Sequence, residues 1–442
     1  MRIVETAMHG RIINMSVHIT IHRGTEQIGG SVTEISMGKT NILVDFGNSL
    51  PGRQGTVSDD ELVKRVLHRE NHHIDAVFFT HYHGDHVGLM EKIPKNIPIY
   101  MDSAMLEIMR VLHKHTRNKA MQELLANRDG RIHTFAPAVG TIITLGEKKD
   151  MEIRPFFVDH SAYHANMFLF EGAGHTILHS GDFRSTGYMS KSVDIIPKLI
   201  HENYGKEVDV LILEGTMMTR SAEKEHLLTE WDVHKEAKAF MKDHRQLFVV
   251  CSSTNFDSLT SICNAAAANH IPIYGSPYII EMMKIFKDMA EKYRPRLPPV
   301  KLMGDELWQH SREGFVLLLG SLSSISKAGA HKLFHNLGRH MLNYQPYLLY
   351  SMWQGYLDEK HPAFKEGLAY FVHEFDGRVK YIHSTGHADK VTLAKFIQDI
   401  APRKYIVPFH TEDAEGFRSL DVEEKYKDMV ILPDDGDMIE IA

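Results

Sequence analysis

The segment Thr80-His81-Tyr82-His83-Gly84-Asp85-His86, directly after the apolar run Asp75 to Phe79, constrains this chain more than any other. Four side chains able to bind a metal, His81, His83, Asp85 and His86, stand within one short stretch. Where a chain leaves a strand, residues two apart project to the same side, so His81 and His83 address one point. Gly84 permits the tight turn that swings Asp85 and His86 toward a second point. One segment can therefore serve two cations. The bland alternative is a set of surface histidines at a strand end, and it predicts no further ligands in similar settings.

Further ligands do occur in such settings. His160 follows the apolar strand Glu152 to Val158, Asp182 follows Thr176 to His179, and His410 follows Tyr405 to Phe409. Four strand ends, each offering a ligand, describe a site along one edge of a sheet. The donors are imidazoles and carboxylates without a thiolate, a set that suits zinc and tolerates manganese. The simplest partition gives one ion His81, His83 and His160, and the other Asp85, His86 and His410, with Asp182 bridging. Coordination positions then stay open for a hydroxide and a substrate oxygen.

With 442 residues, the chain is long enough for two domains or for one large domain carrying an insertion. Its 2 Cys are too few for a disulfide framework or a zinc ribbon, so a reducing cytoplasm is the expected compartment. No apolar run approaches the roughly 18 residues that span a bilayer, so no membrane association is expected. The first fourteen residues, broken by Arg2, Glu5 and Arg11, read as an N-terminal extension and not as a secretory signal.

Short β-type runs fill the beginning of the chain: Val17 to His22, Ser31 to Ser36, Asn41 to Asp45 and Ala76 to Thr80. Helical patterns follow at Val87 to Ile93 and Ala104 to His115, and strands return up to Val208 to Leu213. This order predicts stacked sheets with helices outside. After Gly215 the pattern changes. Helices at Ala222 to Asp243, Ser258 to Asn269 and Tyr278 to Tyr293 alternate with strands at Leu247 to Cys251, Pro272 to Tyr274, Phe315 to Leu319 and Tyr347 to Ser351, as in a parallel α/β unit. Tyr293 to Val300 reads as a linker. After about Arg378 come a strand (Val379 to His383), a helix (Lys390 to Ile400) and two more strands, Lys404 to His410 and Met438 to Ile441.

Taken together, the His81 to His86 run, His160, Asp182 and the early Asp45 in Leu43-Val44-Asp45-Phe46-Gly47 resemble the metallo-β-lactamase fold family. Leu213-Glu214-Gly215-Thr216, His383-Ser384-Thr385-Gly386-His387-Ala388 and Pro408-Phe409-His410-Thr411-Glu412 resemble the three additional motifs of its β-CASP nucleic-acid-processing branch, most closely ribonuclease J-like proteins. The resemblance runs from Ile21-His22-Arg23-Gly24 and Gln27-Ile28-Gly29-Gly30-Ser31, through Ser252-Ser253-Thr254-Asn255, to Asp434-Asp435-Gly436-Asp437. It implies an α/β protein: an αββα metallo-β-lactamase sandwich formed by residues 1–216 and 379–442, with residues 217–378 as an inserted β-CASP domain. It implies RNA as the partner and a catalytic group of His387, Asp85 and Glu214. Ribonuclease J-like proteins carry a C-terminal domain for dimer assembly, which is not present before the chain stops at Ala442; an oligomer stays an open expectation.

Phosphodiester hydrolysis needs a deprotonated nucleophile, neutralised phosphoryl charge and a proton for the leaving oxygen. Two divalent cations supply the first two. An imidazole titrates near neutrality, so His387 suits the third role, and Gly386 lets the backbone approach the substrate. Asp45 and Glu214 fit as carboxylates that orient ligands from behind. His383 reads as a satisfied strand-end histidine, and His164 has no evident role.

Charge contributes little to the nucleic-acid case. The net charge is -7, and the stretch 217–378 is near neutral, so affinity must come from local patches and from the cations themselves. Lys327 to His340 and Lys284 to Lys301 are candidates for such patches, although solvated helix faces are the more ordinary reading of both. Ser253, Asn255 and Ser321 sit in small polar loops at strand ends, where a substrate phosphate can bind. Trp353 and Tyr356 read as core aromatics with base stacking as the second use. Three functions are compatible with these features: a metal-dependent nuclease acting on RNA, or on DNA with the same fold; a hydrolase of a small ester, thioester or lactone; and a silent scaffold, which predicts eroded ligands. All seven ligand positions are filled here.

Overall fold

The computed structural model describes residues 16–50, 57–147, 149–220, 228–288, 295–340 and 345–442. The expected N-terminal extension, the first turns of the helix expected from Ala222 and the end of the one expected to reach Tyr293 lie outside the described residues.

Among the described residues, three sheets organise the chain. The first has seven strands, in the order Met438–Ile441, Val17–Arg23, Val32–Met37, Thr40–Val44, Ala76–Phe78, Ile99–Asp102 and Ile132–Phe135. The second has six, in the order Tyr405–Phe409, Val210–Glu214, His175–His179, Ala165–Gly172, Met151–Val158 and Ile143–Leu145. Their facing sides share one apolar layer, in which Ile19, Ile35, Val44 and Phe78 meet Phe168, Phe170, Ile212 and Val407. Helix Ser103–Thr116, capped by Asp102, covers the outer face of the first sheet, and helix Lys390–Ile400, capped by Asp389, covers that of the second. The result is an αββα sandwich. Asp435 fastens the last strand to the first by accepting from the backbone N–H groups of Gly24 and Thr25.

The third sheet is wholly parallel: Lys301–Leu302, Ile273–Gly275, Phe315–Gly320, Gln246–Cys251, Tyr347–Ser351 and Val379–Tyr381. Its central strands are apolar on both faces, as sheets with helices on both sides require. Val379–Tyr381, expected beyond a boundary at 378, pairs with Tyr347–Ser351, so the chain leaves this sheet only after Tyr381. The helix expected at Val87 to Ile93 is instead two short turns, Gly84–Val87 and Met90–Lys92. The Leu89 N–H is diverted to the Phe46 carbonyl (3.0 Å), which interrupts the helical ladder.

A buried ionic junction joins the third sheet's helices to the sandwich. The Arg184 guanidinium, with no exposed surface, reaches Asp159 (3.2 Å), Glu230 (3.3 Å) and Asp257 (2.9 Å), and donates to the Thr385 carbonyl at 3.1 Å. Glu230 opens the helix Glu230–Asp243 and Asp257 lies in the helix Phe256–Ala268. Apolar contact supports the junction, with Tyr163 against Phe256 (4.9 Å) and Phe286 (5.6 Å). Removing one partner from such a cluster strands the remaining charges in a low-dielectric interior. Arg184→Met is expected to lower the unfolding free energy by about 3–5 kcal/mol in urea titrations, whereas a loss below about 1 kcal/mol would mean that the junction does not hold the two parts together.

Candidate metal centre

Both sheets of the sandwich deliver side chains to one edge. His81 to His86 follow Ala76–Phe78, His160 follows Met151–Val158, Asp182 follows His175–His179, Glu214 ends its strand, and His410 follows Tyr405–Phe409. Their ligating atoms gather into four overlapping groups, each within 4.8 Å: His81 with His83 and His160; Asp85 with His86 and His410; His81 with His86 and Asp182; and Asp182 with Glu214, His387 and His410. The first two groups match the sequence partition, and Asp182 stands between them.

Glycine lets the ligand turn pack this closely. A Cβ at Gly47 would lie 1.7 Å from the Asp85 carbonyl oxygen, so only glycine lets the loop after Thr40–Val44 reach the His81–His86 backbone. Three backbone bonds then fix that turn: Ser31 N–H to Asp85 O (3.0 Å), Phe46 N–H to His86 O (2.8 Å) and Asn48 N–H to Gly84 O (3.3 Å).

Four imidazoles are held from behind through Nδ1. Asp45 Oδ2 lies 2.7 Å from His86 Nδ1, Thr80 Oγ1 3.0 Å from His81, the Gly386 carbonyl 2.6 Å from His160, and Thr216 Oγ1 2.8 Å from His410. Asp45 is fixed in turn by the Thr80 N–H and hydroxyl, both at 2.8 Å. The other ring nitrogens therefore point inward. His81 Nε2 and Asp182 Oδ1 are buried there without a hydrogen-bond partner. Unmet polar atoms cost about 1–3 kcal/mol each, and a divalent cation satisfies them, so the residues present fit a metal.

The electrostatics agree with that fit. Burial holds His81 and His160 well below the usual imidazole range and His83 at about 4, which keeps all three neutral with a lone pair to offer. Burial alone would also lower His86, but the Asp182 and Asp45 carboxylates push it well above, a charge that a bound cation would replace. Burial would raise Asp85 and Asp182, yet the surrounding imidazoles hold both below the ordinary carboxylate value.

His387 stands at the rim of this cluster, with Nδ1 3.2 Å from Glu214 Oε2 and 3.8 Å from Asp182 Oδ2. Glu214 is buried and accepts from the N–H groups of Phe183 (3.2 Å) and Thr216 (3.1 Å). Burial would lower His387, but Glu214 and then Asp182 raise it above its ordinary value. Of the loop residues expected to bind phosphate, Ser253 is buried against the Ser321 loop: a Cβ at Gly320 would come within 2.9 Å of its Oγ. Asn255 uses its side-chain oxygen to cap the helix Phe256–Ala268 through the Ser258 N–H. None of the three belongs to the four groups.

Sequence reasoning missed several partners. Tyr82, between two candidate ligands, donates to the Thr254 carbonyl (2.7 Å) and accepts from the Tyr163 N–H (2.6 Å), tying the ligand run to the Ser252–Asn255 loop. Thr80 and Thr216 sit beside named residues but carry no signal of their own. His164 pairs with Asp102, both oxygens at 3.2 Å, so it braces the start of a helix. Trp353 and Tyr356, expected in the core, are half-buried. Their turn follows a strand end of the third sheet, where the backbone leaves the apolar layer.

Known proteins resolve the family. A family described as "Beta-lactamase superfamily domain" matches residues 40–291, more than half of the chain. The chain belongs to the metallo-β-lactamase superfamily. A second family, described as "Zn-dependent metallo-hydrolase RNA specificity domain", matches residues 373–433, which contain His387 and His410. Within the superfamily the chain is ribonuclease J-like and of the β-CASP type. It is 26% identical over 207 residues to ribonuclease J of Helicobacter pylori strains 26695 and B128; the match covers 46% of this chain and 28% of the relative. The chain thus spans little more than a quarter of the length of these curated relatives. A solved structure described as a protein of unknown function from Enterococcus faecalis V583 aligns over 96% of this chain and all of its own, with a TM-score of 0.69 at 18% identity, which speaks for the fold alone. Among the described residues no helix is long and apolar enough to cross a membrane.

The ring support from behind generates a prediction. Asp45→Asn is expected to weaken divalent-cation affinity about 10–100-fold in competitive chelator titrations while the far-ultraviolet dichroism is retained. An unchanged affinity would remove Asp45 from the site.

Proposed function

We propose that this protein is a metal-dependent ribonuclease that hydrolyses RNA phosphodiester bonds in the cleft between the sandwich (residues 1–216 and 379–442) and an inserted β-CASP domain (217–378, with its last strand running to Tyr381). One observation carries the reading: the RNA-specificity match spans His387 and His410, and both side chains lie in one group with Asp182 and Glu214.

His81, His83 and His160 would hold one cation and Asp85, His86 and His410 the other, with Asp182 between them. Zinc is the first choice for this donor set and manganese the second. Two such ions supply an activated water and neutralise phosphoryl charge. The protein's own residues do the rest. Asp85 and Asp182 stay ionised as ligands. Glu214 holds Nδ1 of His387, which leaves Nε2 to protonate the departing oxygen. Ser253 and Ser321 are proposed to contact a neighbouring phosphate, and Asn255 to shape that loop through its cap.

The sign of the pH dependence follows from His387. Its pKa is raised, so the proton donor persists to higher pH than on an ordinary imidazole and is lost as pH rises through that value. Glu214→Gln removes the strongest raising charge; the alkaline limb of kcat/KM is expected to move to lower pH, and a limb that stays in place would exclude His387 as the acid.

The direct test combines elemental analysis with cleavage of a 5′-monophosphorylated, 3′-labelled RNA and the matching DNA by zinc- or manganese-loaded protein. Chelator-sensitive cleavage of RNA, lost in Asp182→Ala, is the expected outcome. Product lengths then distinguish internal cuts from removal of nucleotides at the 5′ end. Two ions per chain with no cleavage of either strand would sink the nuclease reading.

A further inference from the structure

Beside the ligand cluster, side chains from distant parts of the chain meet in a second group. Arg220 lies six residues beyond Glu214, the carboxylate that holds His387. Trp353 and Tyr356 flank the turn Gln354–Tyr356 that follows the strand Tyr347–Ser351 of the third sheet. The Arg220 guanidinium carbon lies 4.7 Å from the centroid of the Trp353 ring, which is cation–π distance.

The indole is held in place. It meets Tyr356 edge-on at 5.4 Å and His361 at 4.7 Å, and the Trp353 carbonyl accepts from the Tyr350 hydroxyl at 3.1 Å. Its ring also lies on Gly355, where a Cβ would come within 2.3 Å. Arg220, Trp353 and Tyr356 are all half-buried, so the group borders solvent. It also borders the candidate site: Met217 Sδ, 3.5 Å from Arg220 Nη1, accepts from the Thr385 hydroxyl at 3.7 Å, two residues before His387.

A guanidinium over an aromatic ring keeps N–H groups to offer to acceptors, and its planar fork suits a phosphate better than an ammonium does. On a chain of net charge -7, a polyanion needs such local cations beside the reacting bond.

We propose that Arg220, held over the Trp353 ring, grips a phosphate of the substrate strand on the His387 side of the cluster, with Tyr356 closing the same subsite. This rests on the nuclease reading and adds a strand-binding site to it. Arg220 is the contact, and Trp353 is a positioning residue.

The test is steady-state hydrolysis of single-stranded RNA across a salt series by metal-loaded wild type, Arg220→Gln, Arg220→Lys, Trp353→Leu and Trp353→Phe. Arg220→Gln is expected to raise KM about tenfold, the loss of one charge-assisted hydrogen bond, and to reduce the slope of log KM against log salt by about 0.7. Arg220→Lys should keep the slope but raise KM, because the charge stays and the planar stack goes. Trp353→Leu should raise KM, and Trp353→Phe should restore most of it. Simple fastening of the inserted domain would lower the melting temperature without moving the salt slope. Wild-type cleavage with Arg220→Gln matching it in KM and slope overturns the subsite alone. A Trp353→Phe variant no better than Trp353→Leu overturns the stacking role. If Arg220→Gln does not fold, Arg220→Lys with a wild-type KM overturns the proposal. A wild type that cleaves no RNA fells the nuclease reading beneath it.

Discussion

Crowding five histidines and two carboxylates at one sheet edge is unfavourable unless something positive sits among them. His81 Nε2 and Asp182 Oδ1 are buried without hydrogen-bond partners, and Asp182 is shared between two ligand groups. The rest of the sandwich is arranged around that requirement. Two sheets stacked through Phe168, Phe170 and Ile212 bring strand ends from distant parts of the chain to one edge, and Gly47 lets the supporting loop reach the turn. In water each imidazole could rotate and solvate; here the Asp45, Thr80, Thr216 and Gly386 oxygens fix four of the rings, so little is lost in ordering them when a cation arrives.

The same edge is tied to the third sheet by polar contacts that are also buried. Arg184 lies two residues after Asp182, Asp159 just before His160, and the Thr385 carbonyl just before Gly386. Glu230 and Asp257 reach this cation from the helices of the inserted region. Tyr82 does the same from inside the ligand run, through Thr254. Movement of the inserted region would therefore have to break contacts to residues adjoining His160, Asp182 and His387.

The division of labour among the carboxylates is set by their neighbours. Asp85 and Asp182 are surrounded by imidazoles that favour their charged forms, as ligands require. Glu214 accepts backbone N–H groups and faces His387, whose pKa it raises, which is the direction that the proposed proton donor needs. Residues of one chemical type thus serve different purposes because burial and neighbours differ.

Much of this was legible in the sequence. The seven candidate ligands and stacked sheets with helices outside followed from apolar runs that end in His or Asp, signals that lie within a few residues of each other; the αββα class and His387 came with the resemblance to the metallo-β-lactamase family and its β-CASP motifs. Asp45 and Glu214 were legible as supporting acids because each closes an apolar strand. The Val87 helix failed because periodicity does not register a carbonyl from Phe46 that takes a helical N–H. Trp353 and Tyr356 read as core because residue type alone does not say where a strand end meets solvent. By itself the sequence determined the donor set and the order of the strands, both local properties of the chain. Only the tertiary structure decided which oxygen stands behind each ring, which acids share Arg184, and that Arg220 lies on Trp353. Those pairings join residues far apart in sequence, and no periodicity or spacing encodes which distant surfaces meet when two sheets and an inserted domain close on one another.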